Sequence, residues 1–174
     1  MDFGQINSIR GIPGFARGIG CRSAVEVGVQ RGWFSRRIAR AIDGDVWLVD
    51  PWMHFDEGYE DSANVPQAQQ DANHDRVVRM FAGRPNVHVL RKTSLEAAAG
   101  FAGESVDWVF IDANHSYEAV RDDVRAWWPK VRPGGSSRGT TTWTASSGGP
   151  ARGSASSAPW TSSWRRSACR PRRS

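Results

Sequence analysis

Cysteine is scarce in this chain of 174 residues, which contains only Cys21 and Cys169. Two cysteines so far apart do not make the disulfide framework of a small secreted domain, so a reducing compartment is expected. The N-terminus also lacks a signal-peptide pattern, and no segment approaches the ~20 apolar residues that span a bilayer. These absences predict a cytoplasmic protein that does not enter a membrane.

Twelve amino-acid types are missing from the last forty residues, 135–174, although they dominate residues 1–134. The missing types are Phe, Leu, Ile, Met, Val, Tyr, His, Gln, Asn, Lys, Asp and Glu, and every one has A or T as its middle codon base. Folding does not sort residues by codon base, whereas a shifted reading frame in a G+C-rich gene does. The composition therefore indicates out-of-frame translation after about Gly134, and regrouping the codons by one base permits the string G-H-D-Y.

The same tail has no acidic residue and holds seven of the 23 basic ones. Residues 1–134 therefore carry a formal charge of −2, and the pI near 10.0 comes from the tail. A basic tail is typical of nucleic-acid binding, but this one has no Lys and no alternation of Arg with stacking aromatics. We expect a disordered segment at 136–174 that binds no nucleic acid. The alternative, a non-enzymatic nucleic-acid binder, predicts salt-dependent affinity that disappears when the tail is deleted.

Short apolar runs alternate with segments whose apolar residues recur four apart, and this pattern predicts strands that alternate with helices. The predicted strands are 23–27, 46–50, 87–91 and 106–112; the predicted helices are 33–42, 67–81, 95–101 with Ser94 as N-cap, and 117–128. Residues 51–66 are predicted to form a loop or lid, and residues 133–135 a turn. The alternation predicts an α/β fold with a parallel sheet, whose ligand lies at the carboxyl ends of the strands.

Two clusters follow the first two predicted strands. Gly28 and Gly32 lie between the first strand and the first helix, behind the acid Glu26. Glycines here let the backbone approach a ligand, and the helix N-terminus offers free N–H donors. Asp50 ends the second strand, where a carboxylate can accept both hydroxyls of a ribose. The spacing departs from the dinucleotide pattern G-x-G-x-x-G, so a nucleotide-dependent oxidoreductase is the weaker alternative, and a tight turn with a solvated Asp is the alternative without function.

Residues 20–135 resemble the class I S-adenosylmethionine-dependent methyltransferases. The resemblance rests on V-E-V-G-V-Q-R-G at 25–32, V-D-P-W at 49–52, F-I-D-A-N-H-S-Y-E at 110–118 and W-W-P-K-V-R-P-G-G at 127–135. Within the family the chain is most similar to small-molecule O-methyltransferases of the macrocin and mycinamicin type, in which G-H-D-Y follows the next strand. The resemblance implies a Rossmann-like fold and methyl transfer to a hydroxyl of a small molecule such as a sugar.

The resemblance also implies how S-adenosylmethionine is bound. Glu26, Gly28 and Gly32 would line the methionine end of the cofactor, and Asp50 would hold its ribose. These residues belong to the first two strands and to the turns that follow them.

Two further residues receive catalytic roles from the resemblance. Asp112 would lie beneath the transferred methyl group, and in metal-using relatives this residue binds Mg²⁺, so Mg²⁺ is a second candidate cofactor with Asp112 as its ligand. His115 would be the general base, because a neutral imidazole can take a hydroxyl proton near pH 7. The alternative for His115 is a histidine that caps or packs at the helix start.

The chain departs from the family after residue 135. It lacks the family's fifth strand and the acid of G-H-D-Y, so the sheet is expected to end after the fourth strand and its helix. The strand at 106–112 would then be an uncovered apolar edge. We therefore predict a lead-in at 1–22, an incomplete methyltransferase core at 23–135 and a tail at 136–174, in a chain that is poorly folded and inactive.

Overall fold

The computed structural model describes residues 12–18, 20–57, 59, 61–133 and 142–145. Within these ranges, five parallel strands form one sheet in the order β3-β2-β1-β4-β5. The strands are β1 Ser23–Val27, β2 Asp45–Asp50, β3 Val87–Arg91, β4 Trp108–Ile111 and β5 Thr142–Ala145; the helices are α1 Ile12–Gly18, α2 Ser35–Ala41, α3 Gln67–Phe81, α4 Ser94–Ala99 and α5 Tyr117–Trp127, followed by a 3₁₀ turn, Trp128–Lys130. The predicted α/β fold with a parallel sheet is confirmed.

Helices cover both faces of the sheet, which explains why the central strands are apolar at consecutive positions. Leu48 and Phe110 face a core shared with α1, α2 and α3. Val25 and Ile111 face a second core shared with α4 and α5. The central strands are therefore packed on both faces, and the turns at their carboxyl ends follow directly from this packed sheet.

Asp107 joins the amino ends of β1 and β4. Its Oδ2 accepts hydrogen bonds from the backbone N–H groups of Arg22 at 2.9 Å and Ser23 at 3.0 Å. Its Oδ1 is paired with the guanidinium of Arg132, which follows the 3₁₀ turn. These contacts fix the end of the sheet opposite the predicted ligand site.

A short strand extends the sheet beyond β4. The alternation of strands and helices ends with α5, as predicted, but β5 then pairs with β4 from Trp108 opposite Thr142 to Ile111 opposite Ala145. The prediction that the fourth strand is an uncovered edge is therefore wrong over these four residues, because the sequence analysis did not count 142–145 as a strand. Of the predicted turn at 133–135 only residue 133 is described, and the rest of the tail lies outside the described residues apart from β5.

Smaller differences lie at element boundaries. The predicted lead-in contains α1, whose Ala16 is buried in the first core. Ser94 is not an N-cap but the first residue of α4, and Thr93 caps that helix. Val106 lies outside β4 and makes an isolated bridge to Val131.

The longest helix of the described part is α3, with 15 residues. No helix in those ranges is long and apolar enough to cross a bilayer.

Candidate functional site

The sheet order creates a crevice above the carboxyl ends of β1 and β4. The chain runs from β1 outward to β2 and β3 and then returns to β4 on the other side of β1. Ligands of open α/β sheets bind at such a switch point. Val27 pairs with both Val49 and Ile111, so the residues that follow, Gly28, Asp50 and Asp112, lie side by side at this edge. Three predicted site residues are thus brought together.

Gly28 packs against the end of β4. Its φ is +89°, and a Cβ at this position would lie 2.2 Å from the carbonyl oxygen of Asp112 and 2.7 Å from the backbone nitrogen of Ala113. Only glycine fits, because the neighbouring atoms belong to backbone rather than to a flexible side chain. The closest neighbour of this glycine is therefore the β4 backbone, and Gly28 also forms part of the cavity wall.

Gly32 has a different surrounding. Its φ is +75°, and a Cβ there would lie 3.1 Å from Cγ2 of Val77 on α3. It is buried and is not among the residues that line the cavity. The positive φ and the close approach of α3 explain why a glycine occupies this position. The predicted contact of Gly32 with the cofactor remains a prediction.

The Asp50 carboxylate is engaged by backbone on both of its oxygens. Oδ2 accepts hydrogen bonds from the N–H groups of Val29 at 2.9 Å and Gln30 at 2.8 Å. Oδ1 accepts from the N–H of Trp52 at 2.7 Å. Asp50 also lines the cavity, and its predicted contact with the cofactor ribose remains a prediction.

Glu26 lies in β1, two residues before Gly28, and is only 1% exposed. Its Oε2 is buried with no hydrogen-bond partner among the described residues. Burial raises the pKa of Glu26 to about 8; the Ser35 side chain lowers it in part, and the negative charges of Asp112 and Asp50 raise it further. Glu26 is therefore protonated at neutral pH, and it is not among the residues that line the cavity.

Asp112 and His115 form a pair at the end of β4. His115 Nε2 lies 3.9 Å from Asp112 Oδ1, and each side chain retains about a third of its exposure, 32% and 31%. Asp112 lines the cavity, whereas His115 does not. The histidine precedes Ser116, the N-cap of α5, so its backbone lies at the start of that helix.

The cavity above these residues has a volume of about 500 Å³. This size lies within the range of small-molecule and cofactor sites. Its wall contains the carboxylates Asp50, Glu57, Asp112, Asp122 and Asp123, and no Lys, Arg or His among the described residues. The chemistry of this wall favours a ligand that carries positive charge.

Sequence reasoning missed the part of the wall formed by α4 and α5. Thr93 and Ser94 follow β3, and Asp123 faces the cavity from α5. Burial raises the pKa of the Asp123 carboxyl, while Ser94 lowers it in part. The Ser94 hydroxyl also accepts a hydrogen bond from the indole N–H of Trp127 at 3.0 Å. The capping box of Thr93 and Glu96 was visible in the sequence as T-x-x-E, but the facing of Asp123 depends on how α5 packs.

The predicted loop at 51–66 forms another wall and is tied to α3. Gln67 donates a hydrogen bond to the Trp52 carbonyl and accepts one from the His54 N–H, both at 3.0 Å. Gln70 donates to the Ala63 carbonyl at 2.9 Å. Tyr59 lines the cavity, whereas Trp52 is buried and His54 points elsewhere. Burial, followed by Asp61 and Asp50, raises the pKa of Tyr59 to about 12, so its hydroxyl stays protonated.

A family model described as a methyltransferase domain matches residues 25–136, which is more than half of the chain. The chain belongs to this methyltransferase family. The matched range contains Gly28, Asp50, Asp112 and His115. Membership decides against the oxidoreductase alternative, and no curated protein matches the chain.

Solved methyltransferases share the fold. A methyltransferase from Geobacter sulfurreducens is 21% identical with a TM-score of 0.50, covering 72% of this chain and 55% of the other. An O-methyltransferase from Bacillus cereus, solved in complex with S-adenosylhomocysteine (SAH), is 17% identical with a TM-score of 0.52, covering 76% and 55%. The Rossmann-like methyltransferase fold is thus confirmed, and the chain spans about half the length of the structures it matches.

The predicted Mg²⁺ site at Asp112 has no ligand set in the part of the chain that the structure describes. Three or more His, Cys, Asp or Glu side chains that could hold a metal ion do not come together there. Among the described residues, His115 is the titratable side chain within ion-pair distance of Asp112, at 3.9 Å. The residues that the structure describes therefore do not fit a Mg²⁺ ion.

Proposed function

We propose that this methyltransferase uses S-adenosylmethionine to methylate a hydroxyl group of a small molecule. The observation that carries the proposal is the cavity of about 500 Å³ above the switch point, lined by Gly28, Asp50 and Asp112. Ligands of open α/β sheets lie at this place. The Bacillus cereus structure, with the same fold, contains SAH, which makes this cofactor the first to test.

The acidic wall supports a cationic cofactor. S-adenosylmethionine supplies a methyl group on a positively charged sulfonium sulfur. Carboxylates such as Asp112 and Glu57 attract that charge, and no basic side chain among the described wall residues opposes it. Gly28 keeps the backbone of β1 close to the end of β4, so no side chain projects from this position into the cavity.

His115 is the proposed general base. Its imidazole lies at the start of α5, 3.9 Å from the carboxylate of Asp112. In the proposed reaction the acceptor hydroxyl would lose its proton to this imidazole as its oxygen forms a bond to the methyl carbon. The bond between that carbon and the sulfonium sulfur would break, and its electron pair would stay on sulfur, so that SAH leaves. Asp112 stabilises the imidazolium that forms, because opposite charges at this distance attract even near solvent.

We further propose that methyl transfer is impaired in this chain because the segment after Gly134 is translated out of frame. Two observations support this. The twelve missing amino-acid types define the segment from residue 135, and the family match ends at residue 136. The relatives' remaining length, which this chain does not match, is where variable acceptor-binding segments are expected.

Sequencing the gene across codons 130–140 tests the frame. We expect that a frame shifted by one base continues P-G-G into G-H-D-Y and a further α/β pattern. A gene in which only the written frame is open would overturn the frameshift proposal.

Transfer of an isotopically labelled methyl group tests the function. The chain with the restored frame is expected to methylate hydroxyl compounds from a panel of sugars and glycosides, and the chain as written is not. Transfer by the written chain at the restored chain's rate would overturn the impairment proposal. Methylation of amines or carboxylates alone would overturn the proposed acceptor class.

A further inference from the structure

We propose that Arg91, at the end of β3, is a positioning residue whose guanidinium holds the backbone of Pro51 and Trp52 from behind the cavity wall. This inference rests on the proposed function, because it assigns to Arg91 an indirect effect on S-adenosylmethionine affinity. Arg91 is not among the residues that line the cavity, so its effect on a ligand passes through the residues that it holds.

The segment that follows β2 faces two ways. Pro51, Met53 and Phe55 line the cavity. Trp52 between them is fully buried, and His54 is not among the lining residues. Alternate residues therefore face the cavity, and a rotation of the backbone at Trp52 would turn its two neighbours away from a bound ligand.

Four hydrogen bonds form a closed cycle behind this wall. Arg91 donates from Nη2 to the Trp52 carbonyl at 3.0 Å and pairs with Oδ1 of Asp71. Gln67 donates from Nε2 to the same two oxygens, each at 3.0 Å. Gln67 and Asp71 lie one turn apart at the start of α3, so one face of that helix presents both. The cycle therefore joins the end of β3 and the start of α3 to the segment after β2.

Arg91 contributes more than an ion pair with Asp71. Its Nε also donates to the Pro51 carbonyl at 3.3 Å, so one planar guanidinium contacts two successive carbonyls of the wall segment. Trp52 has a φ of +42°, a conformation that residues other than glycine rarely adopt and that persists only where the surroundings over-determine it. Exposed ion pairs stabilise little by themselves. Since Arg91 and Asp71 are 40% and 50% exposed, we expect the two carbonyl contacts to matter most for the wall.

Two substitutions separate positioning from an effect of charge. Arg91→Gln removes both the guanidinium fork and its positive charge, whereas Arg91→Lys keeps the charge and loses the fork. Arg84→Gln is the matched control, because Arg84 also donates to a backbone carbonyl, that of Ala39 at 2.7 Å, and does not line the cavity. Titration calorimetry of the full chain measures the affinity for S-adenosylmethionine and for SAH, which lacks the sulfonium charge.

A positioning role predicts that both Arg91 variants bind S-adenosylmethionine and SAH more weakly by the same factor, roughly tenfold, the loss expected for one hydrogen bond to a charged group. Arg84→Gln should leave both affinities unchanged. An effect of charge predicts the opposite sign, because Arg91→Gln would then strengthen the binding of cationic S-adenosylmethionine more than that of SAH, and Arg91→Lys would change neither. That result, or unchanged affinity in both Arg91 variants, would overturn the inference while the proposed function stands.

Amide hydrogen exchange in the ligand-free chain tests the positioning separately from binding. The His54 N–H, which donates to Gln67 at 3.0 Å, should exchange roughly tenfold faster in Arg91→Gln and at an unchanged rate in Arg84→Gln. Unchanged exchange in Arg91→Gln would overturn the inference whether or not a ligand binds. If the unsubstituted chain binds neither ligand, the proposed function fails, and with it the effect of Arg91 on affinity.

Discussion

Replacing Gly28 by alanine tests whether the two central strands must meet through bare backbone. The added methyl carbon would lie 2.2 Å from the carbonyl oxygen of Asp112 and 2.5 Å from its carbonyl carbon. Backbone cannot rotate away as a side chain can, so β1 and β4 must separate at the switch point. An alanine at a φ of +89° also costs about 1–3 kcal/mol in backbone strain. Together these terms predict a loss of roughly 3 kcal/mol or more in the free energy of unfolding.

Urea unfolding, followed by tryptophan fluorescence, measures this loss. Gly83→Ala is the control, since no atom lies within 4 Å of a Cβ there and its φ is not positive. The control should be neutral or stabilising by about 0.4–1 kcal/mol, because alanine restricts the unfolded chain. Gly28→Ala should also lose SAH binding in buffer without urea, where the variant is still folded.

Equal stability of the two alanine variants would refute this reasoning. It would mean that the β1 turn and the end of β4 do not approach as closely as described. A loss of SAH binding with unchanged stability would place Gly28 against the ligand alone, and the strand contact would carry no energy.

Three further predictions concern single groups. Folding keeps a proton on Glu26 that the unfolded chain releases above about pH 5, because the folded pKa is about 8. The free energy of unfolding should therefore fall by about 1.4 kcal/mol per pH unit between these two values, and Glu26→Gln should remove this slope. Equal slopes in both proteins would contradict the raised pKa of Glu26. Thr93→Ala removes the capping box of α4 and should lower the free energy of unfolding, measured by thermal unfolding, by about 1 kcal/mol. Ser62→Ala, at an exposed loop serine, should leave it almost unchanged. In the restored-frame chain, His115→Ala should slow methyl transfer by about 10²-fold or more and leave SAH affinity unchanged. The control His88→Ala, at a histidine paired with Asp45 on the edge of the sheet, should leave the rate unchanged. Equal rates in the two variants would exclude His115 as the general base.

The sequence predicted the central architecture because its elements are strongly patterned. β1, α3 and β3 have the predicted bounds, since buried apolar runs and a long polar helix leave little ambiguity. α1 was not predicted because its segment is short and Gly-rich, and it becomes helical where Ala16 packs in the first core. β5 was not counted because only its pairing with β4 makes a strand of it.

For the candidate site, the sequence placed residues at strand ends but could not say what each contacts. Gly28, Asp50 and Asp112 come together because the strand register aligns the residues that precede them, Val27, Val49 and Ile111. The bonds from Asp50 to backbone groups of two loops depend on tertiary folding, so no spacing rule contains them. Asp123 faces the cavity because of how α5 packs against α4, which periodicity alone does not determine.

Binding of SAH to the full chain tests the central claim most directly. Titration calorimetry is expected to show one saturable site whose affinity is lost in Gly28→Ala and kept in Gly83→Ala. No saturable heat with SAH or S-adenosylmethionine, from protein that unfolds cooperatively, would contradict the claim that this cavity is a methyltransferase cofactor site.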